Sequence, residues 1–333
     1  MKKTLIALAA VAATSAAFAQ SSVTLYGVAD AGIGRDSAGT AGAPTQDTQF
    51  KSSSSVNNGT SRFGLRGTED LGGGLKAGFN FEAGLSLADG SVNQSGGQFF
   101  SRAAFINLMG GFGEVRLGRS LNPSFFAAAA WELTGTANYS VVTRQFSQAG
   151  ADVLGGIRNS NQIAYTTPNF GGVTATIATI LKGNDASAAA AGDQSKIDLN
   201  VIYRGGPLVV ALGYNKLGST PAGAPDTLSK ANIHVGANYN FGGFRLAGAI
   251  IDPAGPSQGF SFGGTVPVGP VSLTIDMARD TEFKDTDVLF EAKYPLSKRT
   301  FAYAAVLRDG KATGRAADAK NTTNYGLGIR HNF

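Results

Sequence analysis

Arginine is the residue whose placement could do chemistry in this chain. Arg62, Arg66, Arg102, Arg116 and Arg158 recur through its first half, and guanidiniums facing one cavity can steer or hold anions. Glu132, Arg144 and Asp152 fall together between residues 120 and 157, where the two carboxylates could supply an opposing charge. Catalysis finds little to work with. The chain has no Cys, which removes thiolate nucleophiles, thiolate zinc sites and disulfides together. His234 and His331 stand in no recognisable motif, and an imidazole needs a neighbour to orient it before it can act as a base. The glycines at 72–74 join two strand patterns rather than opening a helix, so they do not read as a phosphate loop. We therefore expect no enzyme, no cofactor and no metal site. Lys51, Lys182 and Lys216, in or beside polar links, read as surface decoration.

What positions such arginines is set by composition and periodicity. Of 333 residues, 46 are Gly and 43% are hydrophobic, while 15% are charged. That is too apolar for a disordered chain, and there is no Gly-X-Y repeat to suggest collagen. Residues 1–19 have the layout of an export signal. Lys2 and Lys3 precede an apolar run from Leu5 to Ala13, and Ala17-Phe18-Ala19 gives a small-x-small cleavage site. The run is short for a membrane anchor, which needs about 20 apolar residues. A chain starting at Gln20 carries 26 basic against 23 acidic residues, too mild a balance to argue for nucleic acid. Beyond residue 19 no window approaches a transmembrane helix, so the exported chain is either soluble or a β-barrel.

Alternation of period two runs through the rest. Val23 and Leu25 oppose Tyr26 and Asp30; Phe63 and Leu65 oppose Arg62 and Arg66; Ile197, Val201 and Tyr203 oppose Asp198, Asn200 and Arg204. The same rule sets Arg116 against outward Val115 and Leu117, and Arg102 against outward Ala103 and Phe105; His234 reads as lumenal and His331 as lipid-facing. About sixteen strands are expected, near 22–33, 61–69, 74–84, 98–109, 112–119, 159–167, 172–181, 196–204, 207–216, 230–241, 243–251, 258–266, 270–279, 285–295, 298–308 and 322–333. Short turns such as 70–73, 110–111 and 205–206 tend to alternate with long links such as 34–60, 85–97, 182–195, 217–229 and 309–321. An even number of strands with connections of this kind predicts an all-β, sixteen-stranded antiparallel transmembrane β-barrel. A soluble β-sandwich would also alternate, but sixteen strands would need several domains, and no linker divides residues 20–333.

One connection breaks the pattern. Residues 120–157 are too long for a turn and too apolar for a disordered loop. Asn122-Pro123 looks like a helix start, with Asn as N-cap and Pro at the first helical position, and Ser124 to Leu133 reads as a short helix carrying the only Trp, Trp131. A sixteen-stranded lumen is too wide for side chains to fill. An external cap is one place for this segment. Phe125, Phe126, Trp131 and Leu133 favour the other, against the inner wall.

These segments resemble the general-diffusion porins of Gram-negative bacteria, most closely the beta-proteobacterial type. The resemblance rests on SSVTLYGVAD after the signal, SRFGLRGTEDLGGGLKAGF at 61–79, GFGEVRLGR at 111–119, NSNQIAYTTPNFGG at 159–172, YPLSKRT at 294–300 and YGLGIRHNF at 325–333. It implies a homotrimer of barrels in the outer membrane whose third external loop, here 120–157, folds in as a constriction. It implies a water-filled channel for passive diffusion of small hydrophilic solutes and ions. The similar placement of Arg62, Arg102 and Arg158 to the constriction arginines of anion-preferring porins implies mild anion selectivity. Arg66 and Arg116, with Glu132 and Asp152 opposite, complete the expected constriction set. Solvated lumen arginines paired with carboxylates are the plainer alternative, and the alanines at 127–130 add no charge to the loop. The terminal Phe333 resembles the ending read by the outer-membrane barrel-assembly machinery. The competing function is a structural or adhesive barrel whose external loops bind a partner.

Overall fold

The computed structural model describes residues 22–37, 47–93, 97–150, 154, 156–182, 194–219, 226–310 and 321–333. The expected export signal at 1–19 and Asp152 lie outside them. Sixteen antiparallel strands follow one another: β1 (Ser22–Arg35), β2 (Arg62–Gly72), β3 (Leu75–Leu85), β4 (Ala103–Gly110), β5 (Gly113–Leu121), β6 (Arg158–Thr166), β7 (Val173–Ile180), β8 (Lys196–Gly205), β9 (Leu208–Leu217), β10 (Asn232–Asn240), β11 (Arg245–Asp252), β12 (Gly259–Val268), β13 (Val271–Asp280), β14 (Asp285–Pro295), β15 (Thr300–Asp309) and β16 (Thr322–Asn332). Each pairs with the next, and β16 returns to β1 through partners such as Ala29 with His331 and Gly34 with Gly326. The sheet is closed. Closure pairs the backbone groups of every strand, which is what a sheet needs to cross lipid.

The alternation seen in the sequence becomes an outside and an inside. Val23 and Leu25 are 64% and 61% exposed on the outer surface, while Asp30 of the same strand is fully buried. Ile197 and Val201 point out, and Asp198 and Asn200 point in and are buried. Turns at one end of the barrel are tight, and that between β2 and β3 runs through Gly72, Gly73 and Gly74, all at positive φ that a side chain would resist.

Two expectations fail at β4. The strand begins at Ala103, not at residue 98, because Phe99 and Phe100 pack edge-on at 4.9 Å and lean on Phe63 and Phe81 instead of joining the ladder. The outward residues of β4 are then Ile106 and Leu108. Ala103 pairs with lumenal Glu82, and Phe105 lies beneath the Arg116 guanidinium at 4.9 Å, so both face inward. Alternation therefore does not explain Arg102, which precedes the strand.

The segment between β5 and β6 turns into the barrel. Helix α1 (Pro123–Trp131) and the short α2 (Val141–Phe146) lie along the inner surface of the wall from β8 to β15. The hydrophobic core of the molecule sits there. Ala127, Ala128, Trp131, Tyr139, Val141, Val142 and Phe146 pack against Ile202, Ala211, Ala249, Ile251, Ala278, Leu289 and Ala305 of the wall. The wall makes room by being small at these points. A Cβ at Gly236 of β10 would lie 2.5 Å from the Trp131 ring, so only glycine lets the indole seat. Trp131 and Leu133 are buried as expected, at 1% and 5% exposure, whereas Phe126 is 39% exposed and faces the lumen.

Asn122 is the N-cap residue, but its side chain does not cap the helix. It donates to the Gly156 carbonyl at 2.7 Å and accepts from Asn159 at 2.5 Å, tying the two feet of the insertion together. The cap comes from the wall. Asp198 of β8 accepts from the Ser124 amide at 2.7 Å and from its hydroxyl at 3.0 Å, placing a carboxylate at the positive end of the helix.

Candidate functional site

Where the insertion leaves the wall uncovered, the arginines gather. Arg62 opens β2, directly after the first long link, and its side chain lies 3.6 Å from Glu82 of β3. Arg102 reaches the same carboxylate at 2.7 Å, because the turn before β4 delivers it there and its backbone amide bonds to the Glu82 carbonyl. Tyr26 of β1 donates to the other Glu82 oxygen at 2.9 Å. Arg158, first residue of β6, donates to the Arg102 carbonyl at 3.1 Å and lies within electrostatic reach of Arg62, Arg102 and Glu82. Two guanidiniums thus pair with one carboxylate and a third stands beside them, so the patch stays positive.

Glu82 was not singled out in the sequence. Its signal was there: Asn80, Glu82 and Gly84 occupy the parity opposite Phe79 and Phe81. The position facing Glu82 across the ladder is Gly64, where a Cβ would meet the Tyr26 ring at 2.7 Å.

The other expected site residues separate from this patch. Arg66 lies nearer the tight-turn end of β2, with its guanidinium over the Tyr26 ring at 5.0 Å. Arg116 pairs with Glu114 of its own strand at 3.1 Å. Glu132 does not present its carboxylate to the opening. It is 4% exposed and accepts from the Thr134 hydroxyl at 2.5 Å and the Thr136 amide at 2.8 Å, holding the turn that follows α1. The acidic side of the lumen is the covered wall instead: Asp276 of β13 and Glu291 of β14 are both buried beneath the insertion. Tyr139 of the insertion donates to Glu291 at 2.6 Å and accepts from Asn58 at 2.8 Å. Burial, with Glu291 beside it, holds the Tyr139 hydroxyl well above the ordinary phenol range, so it remains a donor.

Residues 56–59 of the first long link also enter the lumen, which their polar surroundings in the sequence did not suggest. Val56, Asn57 and Asn58 are buried, Asn57 and the Gly59 amide donate to Asp30, and Tyr303 adds a third bond to that carboxylate at 2.7 Å. Asn58 therefore links this segment to the insertion through Tyr139. His234 is lumenal and buried, its Nε2 3.2 Å from the Ser124 carbonyl, and His331 is exposed on the outer face. Residues 255–259 spell G-x-S-x-G, but they lie in the link between β11 and β12 and lead into a strand, where a nucleophile elbow needs a helix.

The family model for the Gram-negative porin matches residues 5–333. Outer membrane porin protein 32 of Delftia acidovorans is 35% identical over the whole of both chains, and an outer membrane porin protein of Bordetella pertussis is 30% identical, again over both whole chains. Among solved structures, the anion-selective porin from Comamonas acidovorans aligns with a TM-score of 0.70 at 30% identity, covering 94% of this chain and 100% of that one. A closed sixteen-stranded barrel with a loop folded into its lumen and full-length similarity to outer-membrane porins has one reading: the chain belongs to the Gram-negative porin family.

Proposed function

We propose that this porin is an anion-preferring passive channel for small hydrophilic solutes, narrowed by residues 120–157. The observation that carries the preference is the gathering of Arg62, Arg102 and Arg158 around the single carboxylate of Glu82, on wall that the insertion leaves bare. Similarity to the anion-selective porin from Comamonas acidovorans supports the same sign. The signal at 1–19 exports the chain, and the barrel works as a channel, not as an enzyme. Its partners on this reading are two further copies of itself, outer-membrane lipid and the assembly machinery.

The outer surface supports the trimer. Small residues leave two apolar hollows, one of about 540 Å³ beside Gly67, Ala77 and Gly78 and one of about 680 Å³ beside Ala31, Gly32 and Gly328. Phe333 supports the assembly reading. Its backbone pairs with Gly27 of β1 in both directions, at 3.0 and 3.1 Å, and its side chain is 44% exposed on the outer face.

The test of selectivity is the zero-current potential of the trimer in a planar bilayer under a potassium chloride gradient. The wild type should favour chloride, and Arg62→Ala/Arg102→Ala/Arg158→Ala should move the potential toward the cation value. An unchanged potential in the triple variant would remove these residues from the constriction. Deleting Phe333 should sharply lower the yield of outer-membrane trimer, and a normal yield would end the assembly reading.

A further inference from the structure

Helix α1 has two faces, and only one is accounted for. Ala127, Ala128 and Trp131 are buried against the wall, while Phe126 and Ala129 look into the lumen and Ala130, half-buried against the core, borders the same space. The interior of such a barrel is otherwise polar, and nothing in the packing of the loop calls for a solvated phenyl ring. Phe126 touches Phe125 edge-on at 5.9 Å and is 39% exposed.

This face forms one side of a pocket of about 300 Å³, with Ile202 and Arg204 of β8 and Thr174 of β7 on the other. The charges around it are unequal. Glu114 and Arg116 both line the pocket as well, and they pair with each other at 3.1 Å, so their charges offset. Arg204 is exposed and has no carboxylate partner among the described residues. The pocket therefore offers an unpaired guanidinium next to a flat apolar surface, with hydroxyls at its margin. A volume of about 300 Å³ is at the lower end of small-molecule sites, which fits a compact solute.

We infer that this pocket is a transient binding site for small amphipathic monocarboxylates, in which Arg204 takes the carboxylate and the Phe126–Ala129–Ala130 face takes the apolar body. The inference rests on the anion-preferring channel proposed above and goes beyond it. The arginine patch at Glu82 selects for charge alone, whereas this second site ranks anions by their apolar surface. Water released from both apolar surfaces lowers the free energy of the bound solute. The bound time must stay short for the site to pass solute rather than block it.

The probes are benzoate and acetate, ionised at neutral pH, added to one side of a bilayer holding the intact channel while chloride current is recorded. Benzoate should depress the current at about one tenth of the acetate concentration, the ratio expected for covering one small apolar ring. Phe126→Ser, and separately Ala129→Ser, should bring the benzoate concentration toward that of acetate. Taking the ratio of the two acids within each variant cancels any change in pore width. Arg204→Gln should weaken both acids together. Equal potency of the two acids in the wild type, or an unchanged ratio in both serine variants, would overturn the site. If chloride preference is itself missing, the broader reading fails first, and the zero-current potential of the same membranes reports that independently.

Discussion

The two walls of this lumen are built from the same alternating strands and do different work. Along β2, β3 and the turn before β4, Arg62, Glu82 and Arg102 keep part of their side chains open to the lumen, so their charge is free to act on passing ions. From β8 to β15, inward residues alternate between small apolar ones such as Ala211, Ala249 and Ala278 and buried polar ones such as Asp198, Asn215 and Asp276. That wall is a docking surface for the chain's own insertion. Charge alone does not tell the walls apart, because both carry ionisable groups. The difference is the cover: a carboxylate under α1 contributes to folding, while a guanidinium opposite it contributes to the field in the channel.

Removing the cover is the severest way to break this comparison. Replacing residues 124–132 by Gly and Ser strips Trp131 and the alanines from the wall. Truncating one large buried aromatic alone costs about 3–5 kcal/mol. The insertion should detach, and single-channel conductance should rise severalfold. A conductance equal to wild type would mean that α1 does not narrow the path.

A finer cut removes only the latch. Asp198→Ala deletes the wall carboxylate that caps α1 and leaves Lys196, 3.6 Å away and buried, without that partner. Breaking a buried pair in this way costs on the order of 3–5 kcal/mol. The barrel should unfold at a lower temperature, and the open channel should flicker as the helix start comes loose. Asp198→Asn keeps an acceptor for Ser124 and should flicker less. If both variants match the wild type in noise and heat stability, the latch is not what seats the helix.

These two walls were not equally legible. Strand identity and parity could be read almost throughout, because lipid on one side and water on the other impose a strict period of two. The insertion was legible as a helix start at Asn122-Pro123 and as an apolar segment bound for the wall. What escaped was decided by long-range partners. Asp198 lies 74 residues from Ser124, and no local pattern says that a strand residue will cap a distant helix. Glu132 reads as a free acid until its neighbours Thr134 and Thr136 close around it. At Arg102 alternation is not what aims the side chain, since an aromatic cluster at Phe99 and Phe100 overrides it.

The smallest expected effect is the most discriminating one. Glu82→Gln keeps one acceptor oxygen for Arg102, and Tyr26 can turn its hydroxyl to Asn80 at 2.9 Å, so the arginines should stay in place while one negative charge leaves the bare wall. A unit charge about 4 Å away is worth about 1 kcal/mol in water, and salt near 0.1 M screens it over about 10 Å. The zero-current potential should therefore move further toward chloride by a modest amount, most visibly in dilute salt. Asp276→Asn removes the same charge from the covered wall, where the side chain is buried beneath the insertion. It should leave the potential where it was and change heat stability instead. If Asp276→Asn shifts selectivity as much as Glu82→Gln does, cover does not separate the two walls, and the field in the channel is set by both together.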